Sequence, residues 1–142
     1  MESAQVLLIA AVGIGVDQLS KIVVVRQMGG GTLSFGRFLR IRVVNNIAGS
    51  KRVTRLLLMV WVLAAASILV LVHQRSYFEG TIAQVGLGLA LGGAASNLVD
   101  RLRLGQIVDF IDLRFWPVFN LADVAIVAGV LLAFLYPLGA VL

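Results

Sequence analysis

Residues 97–110 read NLVDRLRLGQIVDF and directly follow a run that is apolar enough to lie in lipid. The segment holds two aspartates, two arginines and an asparagine, although 60% of the 142 residues are hydrophobic and only 13% are charged. Soluble domains average about 25% charged residues, so this composition indicates a membrane protein. Charges at a membrane boundary are costly and usually serve a function. The segment is therefore the first candidate for a functional site.

A helix needs roughly 20 apolar residues to cross a bilayer. Four apolar runs of about that length lie near residues 4–25, 53–73, 82–99 and 121–142. The first run lacks a basic leading region and a small-residue cleavage site, which argues against a signal peptide. We therefore predict an all-α membrane protein with four transmembrane helices, in one domain spanning residues 1–142. Residues 39–43 (LRIRV) alternate with period two. This pattern predicts a small surface β-sheet between the first two helices.

The missing residue types restrict the chemistry. The chain has no cysteine, which excludes disulfides, thiolate catalysis and cysteine-ligated metals. Its one histidine, His73, argues against a Ser-His-Asp triad and against a histidine-rich metal site. A mechanism based on carboxylates remains open.

Four helices running up and down bring most charged residues to one membrane face. That face receives five of the seven acidic residues, namely Asp17, Asp100, Asp109, Asp112 and Asp123. Eleven of the twelve basic residues also flank it, and only Arg75 lies on the other side. By the positive-inside rule, the face would be cytoplasmic and both termini external.

Several of these polar residues have an ordinary structural explanation. Asp17 and Lys21 have the i, i+4 spacing of a helix ion pair, although about a dozen apolar residues precede Asp17. Asn97, Asp100 and Arg101 share one helix face and could simply cap and end the third helix. Gly88, Gly92 and Ser96 follow one another at intervals of four residues, which would let another helix approach closely.

The acids near the fourth helix differ in how well structure alone explains them. Asn120 and Asp123 fit a variant of the capping box at a helix start. Asp112 could be merely solvated. Asp109 has the weakest structural explanation, because only a specific partner makes an acid tolerable in the apolar run IVDFI.

Four ordered motifs resemble those of the lipoprotein signal peptidases (signal peptidase II), membrane aspartyl proteases of bacteria, and the match covers nearly the whole chain. The motifs are DQLSK at 17–21, GGAASNLVDR at 92–101, IVDF at 107–110 and FNLAD at 119–123. One segment departs from the family pattern Asn-x-Gly-x-x-Phe, because residues 45–50 read NNIAGS and lack the aromatic residue. Either Asn45 or Asn46 could be the motif asparagine, and we favour Asn46. The departure affects the shape of a substrate-binding loop.

The resemblance implies that Asp109 and Asp123 form a catalytic dyad, in which one acid keeps a proton and the other activates a water. It further implies that Asn97, Arg101 and Asn120 hold the substrate backbone or orient the acids. Asp17 and Lys21 would support the site from the first helix, whereas Asp100 would be structural. Neither metal nor organic cofactor would be needed.

The resemblance also implies the setting. The substrate would be a prolipoprotein cut before a cysteine that carries a diacylglyceryl group, and the partners would be such substrates and membrane phospholipids, not nucleic acid. A monomer is expected in the bacterial inner membrane, with the active site at the outer face and both termini cytoplasmic, against the charge count. Two alternatives remain: a catalytically inactive relative that binds signal peptides, and a small proton-coupled transporter subunit.

Overall fold

A computed structural model describes residues 2–28, 30–46, 59, 61–62 and 80–139. The described helices are α1 (Glu2–Met28), α2 (Thr81–Leu104) and α3 (Leu121–Gly139). The strands are β1 (Thr32–Phe35), β2 (Leu39–Asn46) and β3 (Ile107–Asp112). The predicted helix at 53–73 lies outside the described residues, except for positions 59, 61 and 62, which are helical. The count of four transmembrane helices therefore stays a prediction.

Two of the described helices are long and apolar enough to cross a membrane. They are Ala4–Met28 within α1, with mean hydropathy 1.8, and α2, with mean hydropathy 1.4. Large apolar side chains cover the outer face of α1, where Leu8 is 65% exposed and Leu19 is 63% exposed. An exposed apolar surface of this kind is typical of a helix that lies in a membrane.

Helix α2, which corresponds to the third of the four predicted helices, is longer than the sequence predicted. We expected it to end at residue 99, with Asp100 and Arg101 at its end, but it continues to Leu104. Gly105 then adopts the left-handed conformation (φ 71°) and donates its N–H to the Arg101 carbonyl, which closes the helix. The prediction was wrong because we placed the end of the helix at the first charged residues, whereas the helix ends where Gly105 leaves the helical conformation.

Small residues bring the helices close together, as the spacing of Gly88 and Gly92 predicted. A Cβ at Gly88 would lie 2.7 Å from Cβ of Ile9, and one at Gly92 would lie 2.6 Å from the carbonyl oxygen of Ala10. Helix α2 thereby packs against α1 and, on another side, against α3. This close approach lets side chains of α1 reach the start of α3.

The sheet contains a strand that the sequence analysis missed. Its order is β1-β2-β3, with antiparallel pairing throughout, and β3 comes from the connection between α2 and α3. Residues 108–110 of β3 are all buried, so the strand shows no alternation from which it could be recognised. Asp109 lies on this strand, opposite Val44 of β2.

Candidate active site

Asp109 and Asp123 come from different elements, strand β3 and helix α3, and one side chain connects them. Asn120 immediately precedes α3 and is fully buried. Its Nδ2 donates to Oδ1 of Asp109 at 2.8 Å, while its Oδ1 accepts the backbone N–H of Asp123 at 3.0 Å. A single amide thus holds both predicted dyad residues.

The capping box predicted for α3 is confirmed. Asn120 accepts the N–H of Asp123, and the backbone N–H of Asn120 donates in return to Oδ2 of Asp123 at 3.1 Å. A backbone N–H can only donate, so it fixes the oxygen of the Asn120 amide toward the helix. The NH₂ group must then point away from the helix, toward Asp109. The Asn120 amide that caps α3 is therefore also the group that positions the predicted dyad residues Asp109 and Asp123.

Asn97 of α2 holds the other side of Asp123. Its Nδ2 donates to Oδ1 of Asp123 at 2.8 Å. Its Oδ1 accepts from Nζ of Lys21 at 3.1 Å and from Nδ2 of Asn120 at 3.0 Å. Because an ammonium group only donates, Lys21 selects the amide orientation that presents the NH₂ group of Asn97 to Asp123.

Lys21 lies at the centre of a buried ionic cluster. Its Nζ is 2.6 Å from Oδ2 of Asp17 and 2.7 Å from Oδ2 of Asp100, and all three side chains are 4% exposed or less. Oδ1 of Asp17 accepts the backbone N–H of Ala122 at 2.8 Å, in the first turn of α3. The cluster therefore ties α1 to the start of the helix that carries Asp123.

Two further polar residues of this cluster were missed as site residues. Gln18 donates to Oδ1 of Asp100 at 2.8 Å and to Oγ of Ser96 at 2.9 Å. Ser96, which we had assigned to packing alone, is fully buried and donates to Oδ2 of Asp17 at 2.6 Å. The sequence did contain a signal that could have identified them, because each is a polar residue in an apolar helix and lies beside a predicted site residue.

The remaining predicted site residues lie near this network. Arg101 is half-buried on α2, one turn after Asn97. The backbone of Asn46 ends β2 and pairs with Ile107, whereas its side chain and residues 47–50 lie outside the described part of the chain. Asn45 pairs with Val108 and is exposed.

The expectation that Asp112 is merely solvated was wrong. The residue is only 5% exposed, and Nε of Arg42 lies 2.6 Å from its Oδ2. That hydrogen bond, followed by one from the backbone N–H of Arg114, lowers the pKa of Asp112 below its ordinary value. Asp112 stabilises the junction of β2 and β3, because the strand register sets Arg40 directly opposite it and Arg42 two residues along β2.

The arrangement of groups suits general acid and base chemistry. Asp109 is buried, with 5% exposure, whereas Asp123 is half-buried and hence the more accessible acid. Amide groups do not titrate, so Asn97 and Asn120 can orient both carboxyl groups without competing for a proton. Each carboxylate oxygen accepts about two hydrogen bonds, and those of Asp123 therefore have capacity for a water molecule.

Comparison with known proteins identifies the family. The family model described as signal peptidase (SPase) II matches residues 9–138. The lipoprotein signal peptidase of Moorella thermoacetica is 39% identical over 132 residues, which cover 89% of this chain and 87% of that protein. The lipoprotein signal peptidase of Dehalococcoides mccartyi is 32% identical, over 85% of this chain and 81% of that protein.

The fold also has a solved counterpart. A bacterial membrane enzyme, determined by the in meso method at 2.3 Å resolution, superimposes with a TM-score of 0.80. The match covers 96% of this chain and 88% of that structure, at 24% sequence identity. The family model, which matches nearly the whole chain, shows that this chain belongs to the signal peptidase II family, whose members are aspartic peptidases.

Proposed function

We propose that this chain removes signal peptides from diacylglyceryl-modified prolipoproteins by cutting before the lipidated cysteine, with Asp109 and Asp123 as the catalytic acids. The observation that carries the proposal is the double use of Asn120, which donates to Asp109 and caps the helix at Asp123. Membership of the signal peptidase II family, whose relatives are named lipoprotein signal peptidases, supports the substrate class.

The reaction requires one ionised and one protonated carboxyl group. The ionised acid takes a proton from a water molecule, whose oxygen attacks the scissile carbonyl carbon, while the protonated acid gives its proton to the carbonyl oxygen. The product of this step is a gem-diol. In the next step the peptide C–N bond breaks, the nitrogen takes a proton from the acid that accepted one, and a hydroxyl proton returns to the other acid. Both acids thereby regain their starting states.

The neighbouring residues serve this chemistry by holding its parts in place. Asn97 and Asn120 keep the two carboxyl groups from turning away from the substrate. Lys21, with Asp17 and Asp100, fixes the amide of Asn97 and the start of α3. A near-attack geometry prepared in this way reduces the entropy lost at the transition state.

Substrate binding is assigned to Arg101 and Asn46. The guanidinium of Arg101 offers five donors in a rigid fork, which suits the carbonyl oxygens of an extended peptide. Asn46 ends β2 beside the strand that carries Asp109, and an extended peptide near that point could use its amide. The proposed partners are diacylglyceryl-modified prolipoproteins and membrane phospholipids. No nucleic acid partner is proposed.

The proposed setting is the bacterial inner membrane, where a single-domain monomer with four transmembrane helices presents the active site at the outer face. Both termini would then be cytoplasmic. Lipid-modified prolipoproteins have their cleavage site at the outer leaflet, so the dyad must lie there to reach it. The excess of basic residues at this face would serve lipid head groups rather than mark the cytoplasmic side.

A cleavage assay tests the proposed function. Purified protein is incubated with a diacylglyceryl-modified prolipoprotein, and with the same prolipoprotein lacking the lipid. We expect the modified substrate alone to be cut, and a cyclic-peptide inhibitor of the family to block the cut. Cleavage at another bond, equal cleavage of the unmodified protein, or no cleavage by folded protein would overturn the proposal.

A further inference from the structure

A cavity lies between the C-terminal halves of α1 and α2, with Val108 of β3 in its wall. Its volume is about 290 Å³. The buried side chains of Lys21 and Asp100 are at its inner end, and the exposed side chains of Arg26 and Arg103 are at its mouth. The cavity is large enough for a small polar group and opens on the surface of the helix pair.

The mouth of the cavity carries uncompensated positive charge. Neither Arg26 nor Arg103 has an ion pair or hydrogen bond with any residue in the part of the chain that the structure describes. Asp100 at the inner end of the cavity forms its ion pair with Lys21 and accepts from Gln18, and it makes no ion pair with either arginine. Two guanidinium groups sharing one opening favour an anion with several acceptor oxygens, such as a phosphate.

The walls of the same cavity are apolar and continuous with the lipid-facing surface. Ile22 and Val25 of α1 are each 45% exposed, and Leu104 of α2 is 57% exposed. The ligand must therefore combine a phosphate with hydrocarbon. The diacylglyceryl group of the proposed substrate has the hydrocarbon but no charge, so it leaves the arginines unsatisfied.

We propose that this cavity, formed by Arg26, Arg103 and the apolar walls between them, is a binding site for one anionic glycerophospholipid. The phosphate lies between the two guanidinium groups and an acyl chain follows Ile22 and Val25 along α1. Neither Asp109 nor Asp123 lines this cavity, although Lys21 and Asp100 at its inner end also belong to the cluster that supports them. Bound lipid holds the ends of α1 and α2 together beside the Lys21 cluster.

Lipid retention measured by native mass spectrometry tests this proposal. The full-length protein is placed in phosphatidylcholine nanodiscs with increasing phosphatidylglycerol, released into detergent, and weighed with whatever lipid it keeps. We expect wild-type protein to retain one phosphatidylglycerol. The double variant Arg26→Gln/Arg103→Gln should retain it at least about tenfold less well, because it removes both guanidinium groups that would hold the phosphate. Both residues are exposed, so the variant should fold.

Two controls separate a built site from general attraction. Arg37→Gln/Arg114→Gln removes the same charge from exposed positions outside the cavity and should retain the lipid as wild type does. Diacylglycerol, which has acyl chains without phosphate, should not be retained. Equal retention by both double variants, or retention of diacylglycerol, would overturn the proposal. Binding is measured without cleavage, so the result does not depend on the proposed peptidase activity.

Discussion

Asn97 donates its side-chain amide to Asp123 at 2.8 Å, and the opposite end of the same amide accepts from Lys21 at 3.1 Å. A buried cation on α1 thereby controls which group an asparagine on α2 presents to an acid on α3. Asn120 repeats the arrangement for Asp109, with a helix N–H in place of the cation. Each acid of the proposed dyad is therefore contacted by an NH₂ group whose orientation is set by a donor at the other end of the same amide.

The dyad itself gives the first prediction. Asp109→Asn and Asp123→Asn should each lower kcat by at least about a thousandfold, because an amide can neither take the proton of water nor donate an acidic proton. The measurement is cleavage of a lipid-modified prolipoprotein, with thermal unfolding to verify folding. Asp112→Asn is the matched control on the same strand and should keep most activity. Substantial turnover by either dyad variant would rule out the dyad.

A second prediction concerns the action of Lys21 through Asn97. Lys21→Met and Asn97→Ala should each lower kcat by about tenfold or more. Asn97→Ala removes the hydrogen bond to Asp123, and Lys21→Met frees the Asn97 amide to turn away from that acid; a hydrogen bond to a charged group is worth about 1.5–3 kcal/mol. The double variant should be no slower than folded Asn97→Ala alone, since Lys21 contacts Asp123 only through Asn97.

Additive losses would contradict this role and leave Lys21 as a stabilising residue only. Lys21→Met also leaves Asp17 and Asp100 without their cation, so unfolding must be measured for each variant. If Lys21→Met does not fold, the Lys21→Arg variant should keep most of the wild-type kcat, because its cation still only donates. A folded but inactive Lys21→Arg protein would refute the orienting role.

The Arg101→Lys variant tests whether Arg101 binds the substrate or only supplies a positive charge on α2. If Arg101 holds the peptide backbone, lysine keeps the charge but loses the fork, and cleavage should fall by at least about tenfold without loss of folded protein. Arg37→Lys, at an exposed position between β1 and β2, provides the comparison and should cleave normally. Near-normal cleavage by Arg101→Lys would remove this residue from the site.

The pKa of Asp112 predicts how the sheet responds to acid. Its folded pKa is lowered below 3.8, mainly by the hydrogen bond from Arg42 and then by the N–H of Arg114, with Arg40 adding to the effect. The ion pair therefore stabilises the fold above pH 3.8 and loses that contribution as the pH falls through the lower, folded pKa. Thermal unfolding of wild type and Asp112→Asn should differ at pH 7 and converge below about pH 3.8. A difference that persists in acid would show that the charge is not responsible.

The orientation in the membrane can be read by labelling. A cysteine at Ser50 should react with an impermeant thiol reagent in intact cells, whereas one at Ser76, beside the proposed cytoplasmic residues His73 and Arg75, should resist it. The chain has no native cysteine, so each label reports one position. The reverse pattern would mean that the positive-inside count was right and the proposed orientation wrong.

The sequence by itself determined the class of protein, the start of α3 and the identity of the candidate acids. These features depend on short stretches: about 20 apolar residues for a membrane helix, and the four residues from Asn120 to Asp123 for the capping box. Residues near one another in the chain supply all the interactions concerned. The resemblance in four ordered motifs then distinguished Asp109 and Asp123 from the other acids, a distinction that their local surroundings could not make.

Only the tertiary structure decided what surrounds those acids. Strand β3 was missed because it is buried on both faces, and the ion pair of Asp112 was missed because Arg42 lies 70 residues away in the chain. The contacts of Lys21 with Asn97, and of Asp17 with Ala122, likewise join distant segments. They form because Gly88 and Gly92 let α1 and α2 pack closely. The spacing of these glycines predicted a close approach of some helix, but which helix approaches and which side chains then meet is decided by the packing of the whole fold.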